Sequence, residues 1–264
     1  MFYRTVIFRL MPRSFTYSAL TLRVKASGES NREAWFLTAE EGVLKATVFG
    51  GPKSKLRSHV APFHEGKLWI YYDPVRDSRK VNDFDVLSYR TGIRELYERT
   101  ITASAVAETV LSSQGGGGSW QEAAELAGSV FDALDTAGEA ACSLIAVYFF
   151  WHWADILGVR PDISVCASCG RAAKDSDSLW YSARKEALLC ESCIENCIGR
   201  MAHNADSSFR LTQKTRQWLT ETAKANISSI QEPADAESLK QAKALAKAVL
   251  AGTLGKWLPT WDAI

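Results

Sequence analysis

The sequence has no apolar run long enough to cross a bilayer. Its apolar stretch through residues 146–151 falls far short of the roughly 20 residues that a membrane-spanning helix needs. Nor do its first residues form the unbroken apolar core of a secretory signal, because Arg4, Arg9 and Arg13 interrupt them. The expectation is a soluble, cytoplasmic protein. Neither charge is in clear excess, since 31 Lys+Arg stand against 30 Asp+Glu for a net charge of +1. With 47% hydrophobic residues, 9 Trp and 11 Phe, the chain is too apolar to be disordered and too varied to be fibrous. Its 264 residues allow one or two domains with a core that needs no disulfide staples.

The common catalytic signatures are missing too. Gly50-Gly51-Pro52-Lys53-Ser54 has neither the spacing of a phosphate loop nor its second Gly, which excludes nucleotide hydrolysis of that kind. There is no Gly-x-Ser-x-Gly elbow and no His-Glu-x-x-His. Of the four histidines only His59 and His64 are near each other, and surface or loop roles suit them. Asp132 and Asp135, like Glu122 and Glu125, lie three apart on a helical pattern and read as a solvated acidic face. No internal repeat is visible, and no enzyme is expected.

What is there divides into two parts. Residues 1–90 carry 15 Lys+Arg against 9 Asp+Glu, and residues 91–264 carry the remaining 16 and 21, so a +6 front precedes a −5 rear. A basic front suits an anionic partner. That front also reads at period two. Residues 2–8, 20–24, 34–38, 43–49, 68–72 and 80–86 alternate as half-buried strands, and Ala39-Glu40-Glu41-Gly42 makes a hairpin turn between two of them. Five or six closely spaced strands can close a small barrel of the oligonucleotide-binding (OB) type. From Thr91 the period becomes helical. Residues 93–110, 122–135, 140–157, 212–225 and 234–257 are helix candidates, with 140–157 apolar almost all round and so central. The run Gly115 to Gly118 reads as a tolerant surface loop. The expected class is therefore multidomain α+β: an OB-fold barrel over 1–82, then a helical domain over 83–264.

Five of the six cysteines fall between 166 and 197. Cys166-Ala167-Ser168-Cys169 and Cys190-Glu191-Ser192-Cys193 are two Cys-x2-Cys knuckles separated by twenty residues, the spacing of a tetrahedral structural zinc site. Between them residues 179–181 and 187–189 read as a ribbon hairpin, giving a zinc module at about 164–197. Four thiolates leave no open coordination position, so the zinc is expected to be structural. Cys197, or His203, could replace a ligand in another register, and the double knuckle is the simpler choice. Cys142 reads as a small buried hydrophobe.

The basic strip of the front consists of Lys53, Lys55 and Arg57, alternating on a loop, with Lys45 on the strand before it and Arg23, Lys25 and Arg32 on the preceding strand and loop. Such spacing can track a phosphodiester backbone, with Trp35, Phe63, Trp69 and Tyr71 available for stacking. Lys240, Lys243 and Lys247 share one side of a helix and read as a solubilising face.

Several of these segments resemble one family in order and spacing. Gly28-Glu29-Ser30-Asn31-Arg32, Leu37-Thr38-Ala39-Glu40-Glu41-Gly42-Val43-Leu44, Val48-Phe49-Gly50-Gly51-Pro52-Lys53-Ser54-Lys55-Leu56-Arg57 and Ala61-Pro62-Phe63 resemble the N-terminal half of the bacterial recombination mediator family RecO. Trp151-His152-Trp153-Ala154-Asp155-Ile156-Leu157-Gly158-Val159-Arg160-Pro161, followed by the two knuckles, resembles that family's helix leading into its zinc module. The likeness covers roughly residues 15–200, and the ending Trp257-Leu258-Pro259-Thr260-Trp261 stands outside it.

The resemblance implies an OB-fold followed by a zinc-bearing helical domain. It implies a protein that binds single- and double-stranded DNA and anneals complementary strands coated by single-strand binding protein. It also implies one that joins RecR to help load RecA, without consuming ATP. The acidic, apolar C-terminal tail of single-strand binding protein would dock on the helical domain. By motif position the DNA contacts carried over are Arg32, Lys53, Lys55 and Arg57, and the zinc ligands are Cys166, Cys169, Cys190 and Cys193; Lys45 is added from the strand pattern. Two rivals are a protein-interaction scaffold and an RNA-binding zinc-ribbon protein.

Overall fold

The computed structural model describes residues 13–51, 53–116, 118–174, 177–199 and 208–264. The alternation at residues 2–8 and the candidate ligand His203 lie outside the described residues. The chain divides into two compact units between Tyr89 and Arg90. The expected division after residue 82 falls inside the last strand of the first unit, which runs on to Ser88.

The first unit is a closed barrel of five strands in the order β1-β2-β3-β5-β4. Its strands are β1 (Ser14–Ser27), β2 (Asn31–Thr38), β3 (Gly42–Val48), β4 (Glu65–Asp73) and β5 (Ser78–Ser88), with a short helix α1 (Lys55–His59) between β3 and β4. Pairings are antiparallel except β3 with β5. The β2–β3 turn forms where the sequence places it. Gly42 takes a φ of 69°, which costs a glycine nothing, and Thr38 Oγ1 accepts the Glu41 amide at 3.1 Å. Tyr17, Ala19, Ala34, Phe36, Leu44, Ala46, Leu68, Ile70, Val81 and Phe84 fill the interior.

One irregularity decides which residues face outward. Thr21 pairs with Phe36 and Arg23 with Trp35, which leaves Leu22 as an extra residue in β1. A one-residue slip moves every later side chain to the other face. Tyr17 and Ala19 point into the core before the bulge and Val24 packs against it afterwards, so Arg23 and Lys25 are turned outward.

The second unit is built around α4 (Glu139–Ile156), which packs against α2 (Tyr97–Ser112), α3 (Trp120–Thr136) and α7 (Ala236–Leu254). As its all-round apolar sequence requires, α4 buries Phe149, Phe150, Trp151 and Trp153. Buried indoles keep their hydrogen bonds: Trp151 donates to the Leu219 carbonyl at 3.1 Å and Trp153 to Ser113 Oγ at 3.0 Å. Helix α6 (Gln213–Thr222) completes the bundle, and a final 3-10 turn (Pro259–Ala263) inserts the fully buried Trp261 against Phe150. A small sheet of order β7-β6-β8 comprises β6 (Leu179–Ser182), β7 (Ala187–Leu189) and β8 (Ser208–Leu211), and α5 (Glu191–Gly199) follows β7. The hairpin β6–β7 was expected; β8 was not.

Three expectations for this unit are corrected. The glycine run is a tolerant loop only in part: Gly118 is exposed and faces open space, but Gly115 is buried and donates to the Val110 carbonyl at 2.8 Å. A Cβ on Gly116 would stand 3.0 Å from Ile156 Cγ2. Asp132 and Asp135 are not merely a solvated face: Asp132 accepts from the buried Arg90 at 2.7 Å, and Asp135 accepts the Ile93 amide at 3.2 Å. Lys247 is buried and donates to the carbonyls of Trp261 and Ile264; Lys243 reaches Ser143 Oγ at 3.4 Å. Among the described residues no helix is long and apolar enough to cross a membrane.

Candidate nucleic-acid interface and metal centre

The five cations predicted as DNA contacts separate into two groups. Arg32 shares the pleat side of Ala34 and Phe36 on β2, so it points to the barrel's interior side near its end and donates through Nη1 to the Arg57 carbonyl at 3.5 Å. Burial first, and then the nearby Arg57 charge, pull its proton affinity below the ordinary arginine value. Residues 55–59 are helical, so Lys55 and Arg57 do not alternate along an extended loop as expected; on a helix two residues apart means different sides. Lys53 and Lys55 are exposed, Arg57 is half-buried, and none of Arg32, Lys53, Lys55 and Arg57 has a carboxylate partner among the described residues.

Lys45 belongs elsewhere. It lies on the outer face of β3, directly across from Trp35, and its Nζ is 2.6 Å from Glu33 Oε1. The Trp35 indole is flanked by the Lys45 ammonium and by the Arg23 guanidinium, each 5.3 Å from the ring centroid. The same outer surface carries Lys67 against Trp69 and Lys80 against Phe49, at 5.3 and 5.5 Å, whereas Arg79 meets Tyr72 at 5.4 Å at the barrel's end, on the pleat side of Ile70 and Val81. Phe63, one of the aromatics offered for stacking, is buried and withdrawn from the outer surface. The Arg79–Tyr72 and Lys80–Phe49 pairs escaped the sequence reading because their partners sit on different strands or strand ends. His59 and His64 serve the fold, through contacts of His59 Nδ1 with the Phe84 carbonyl at 3.1 Å and of His64 Nδ1 with the His59 carbonyl at 2.8 Å.

In the second unit the two knuckles converge. The sulfurs of Cys166, Cys169, Cys190 and Cys193 all lie within 4.8 Å of one another. Tetrahedral zinc with bonds of about 2.3 Å separates its sulfurs by about 3.8 Å, and Cys169 Sγ lies 3.9 Å from Cys190 Sγ. Four soft donors in this disposition fit a metal ion. The turn that brings the first pair together is closed by the Gly170 amide on the Cys166 carbonyl at 2.9 Å, with Gly170 at a φ of 71°. The second pair opens α5, where the Cys193 amide bonds the Cys190 carbonyl at 3.0 Å. The Ala167 amide donates to Leu188 of β7 at 2.9 Å and the Cys190 amide to Cys166 Sγ at 3.2 Å, which ties the knuckles to each other. Burial opposes ionisation of Cys166, but the amides of Cys190, Cys169 and Ser168 outweigh it and hold the thiol at about 6. Cys197 stands outside the cluster, and Cys142 is buried on α4 as expected.

Sequence reasoning missed the residue that anchors this module. Arg216, on α6, is buried and donates to the carbonyls of Ile163, Lys174 and Asp177 at 2.7, 3.2 and 2.7 Å. Nothing in its local sequence distinguishes it from a surface arginine.

Comparison with known proteins covers both units. Residues 11–90 match the family model for the N-terminal part of recombination protein O, and residues 94–262 match the model for its C-terminal part. The second match extends over the ending around Trp261, which the sequence reading had left outside the resemblance. Similar curated proteins are the DNA repair proteins RecO of Maridesulfovibrio salexigens, 23% identical over 83% of this chain and 87% of the relative, and of Nocardioides sp., 24% identical over 91% and 94%. That of Heliobacterium modesticaldum is 28% identical over 69% and 66%. With an OB-type barrel and a four-cysteine helical unit each matched by its own family model, the chain belongs to the RecO family of recombination proteins.

Proposed function

We propose that this protein is a DNA-binding recombination mediator that anneals complementary strands and, with RecR, helps load RecA onto DNA coated by single-strand binding protein. The observation that carries this reading is the family match across both units. The barrel-end cations, which have no carboxylate partner among the described residues, and the cation–aromatic surface support it. Basic groups neutralise phosphates on two strands, which lowers their mutual repulsion and lets base pairing finish without covalent chemistry. No catalytic residue and no ATP are needed, and the protein acts in the cytoplasm, at the nucleoid. The single-strand binding protein tail is held by the helical unit. The cysteine cluster holds zinc, which would act structurally because four thiolates fill its coordination sphere.

The test is annealing of two complementary fluorescent DNA strands by purified protein, without ATP, across a salt titration. Fast annealing that weakens steeply with salt is expected. No acceleration, together with no salt-sensitive binding, would instead support a protein-interaction scaffold. Tighter binding to RNA of the same sequence would favour the RNA-binding reading.

A further inference from the structure

We infer that Arg23, Trp35 and Lys45 form a stacking station for one unpaired base, which lets the outer barrel face distinguish single-stranded from double-stranded DNA. The inference rests on the DNA-binding reading above and assigns the form of ligand that this face takes.

The three residues are cross-strand neighbours in one row over β1, β2 and β3, with Arg23 across from Trp35 and Trp35 across from Lys45. The bulge at Leu22 is what places Arg23 in that row; without it Arg23 would point into the core. Trp35 is half-buried, while both cations are exposed. The indole is therefore fixed at its base by the sheet and flanked by two flexible side chains, each 5.3 Å from its centroid. OB-folds bind oligonucleotides on the face of strands 2 and 3 and through the loops joining strands 1–2 and 4–5. Here those strands carry Trp35 and Lys45.

The two cations are not equivalent. Lys45 is held by Glu33 at 2.6 Å, whereas Arg23 has no carboxylate partner among the described residues. A cation over an exposed ring is held weakly. A base entering the row therefore displaces Arg23 from the indole, stacks on the ring it leaves, and gives the freed guanidinium a phosphate to bind through paired, charge-assisted hydrogen bonds. The exchange replaces a weak contact with a base stack and a phosphate contact. Only an unpaired base can make it, because in a duplex the flat faces are covered by neighbouring pairs. A duplex offers this surface phosphates alone.

The experiment is fluorescence anisotropy with three probes: oligo(dT), an abasic strand of equal length, and a duplex. Trp35→Leu keeps apolar cover without a π-face, and Trp35→Phe keeps a smaller one. Trp35→Leu is expected to weaken oligo(dT) binding roughly 5- to 100-fold while changing the abasic strand and the duplex by less than about twofold. Trp35→Phe should recover most of the loss, and the salt slope should stay as in the wild type. The proposal is overturned if both variants bind oligo(dT) like wild type, or if the abasic strand and duplex weaken as much as oligo(dT). If wild-type protein binds none of the three probes, the DNA-binding reading itself fails. If Trp35→Leu does not fold, by circular dichroism, Trp35→Thr, a strand-forming residue without a π-face, takes its place, with the same expected and overturning results.

Discussion

Arg216 on α6 donates through Nε to the carbonyl oxygen of Ile163 at 2.7 Å, joining the helical scaffold to the segment that leads into the first cysteine knuckle. Its Nη1 reaches the carbonyls of Lys174 and Asp177 and its Nη2 that of Ala173, so one buried guanidinium satisfies several acceptors of an otherwise irregular stretch. Arg216→Met would keep the apolar stem and take this donor from the Ile163 and Asp177 carbonyls, while the Lys174 carbonyl would keep the Asp177 amide at 3.0 Å. The expected cost is about 2–3 kcal/mol, read as a lower urea midpoint. Metal content should be retained because no sulfur is touched. Arg216→Lys should recover only part, since a single ammonium cannot span the same carbonyls.

The four-cysteine cluster, proposed to hold zinc, makes a sharper demand. Cys166 is fully buried and its sulfur accepts the Cys190 amide, so removing it takes away a ligand and one tie between the knuckles. Cys166→Ala should lower zinc content, measured by elemental mass spectrometry, from about one ion per chain to a small fraction, and should destabilise the helical unit. Cys197→Ser is the control: Cys197 lies outside the cluster, and its loss should leave the metal in place. Full zinc content in the Cys166 variant would refute the assignment.

The features legible in the sequence are those that repeat locally. Alternation in residues 43–49 is enough to find β3 (Gly42–Val48), and the all-round apolar run gives α4. Two Cys-x2-Cys knuckles give the four-cysteine cluster, because the spacing within a knuckle is fixed by a single turn. What escaped depends on a partner distant in the chain. The separation of Arg32 from Lys45 follows from opposite pleat sides and from a helical α1, the pairing of Arg90 with Asp132 spans 42 residues, and Arg216 finds its acceptors 39 to 53 residues away. The solvated reading of Lys247 failed for the same reason, since the turn that buries it begins at Pro259.

The glycine run tests the packing directly. Gly116 has a φ of 96° and its missing Cβ would meet Ile156, whereas Gly118 faces open space. Gly116→Ala should cost about 1–3 kcal/mol in thermal or urea unfolding, and Gly118→Ala should be close to neutral. Equal, small effects at both positions would return the run to a tolerant loop.

The barrel-end cations should carry charge, not base recognition. Replacing Lys53, Lys55 and Arg57 together by Ala removes three cations that have no carboxylate partner among the described residues. If each neutralises one phosphate, the slope of log affinity against log salt should flatten by about 2–3. The loss should be similar for oligo(dT) and an abasic strand, the opposite of the pattern expected at Trp35. An unchanged slope would remove this segment from the site.

Lys247 gives the fold a pH dependence whose sign can be worked out. Burial, with the nearby Lys243 charge adding to it, holds its ammonium at about 8 against an ordinary value of 10.5. Between those values the unfolded chain keeps a proton that the folded chain has released. The unfolded state therefore binds more protons, and this group's contribution to stability rises with pH across that window. Below about pH 8 both states are protonated and the contribution is constant. Replacing Lys247 by Met removes the titration, along with the donor to Trp261 and Ile264. The stability of wild type relative to Lys247→Met, from urea unfolding, should thus be flat from pH 6.5 to 7.5 and grow by on the order of 1–2 kcal/mol between pH 8 and 9.5. A difference that stays constant through that range would mean that the buried ammonium keeps its ordinary proton affinity, and one that shrinks would mean that the fold raises it; either result would overturn the prediction.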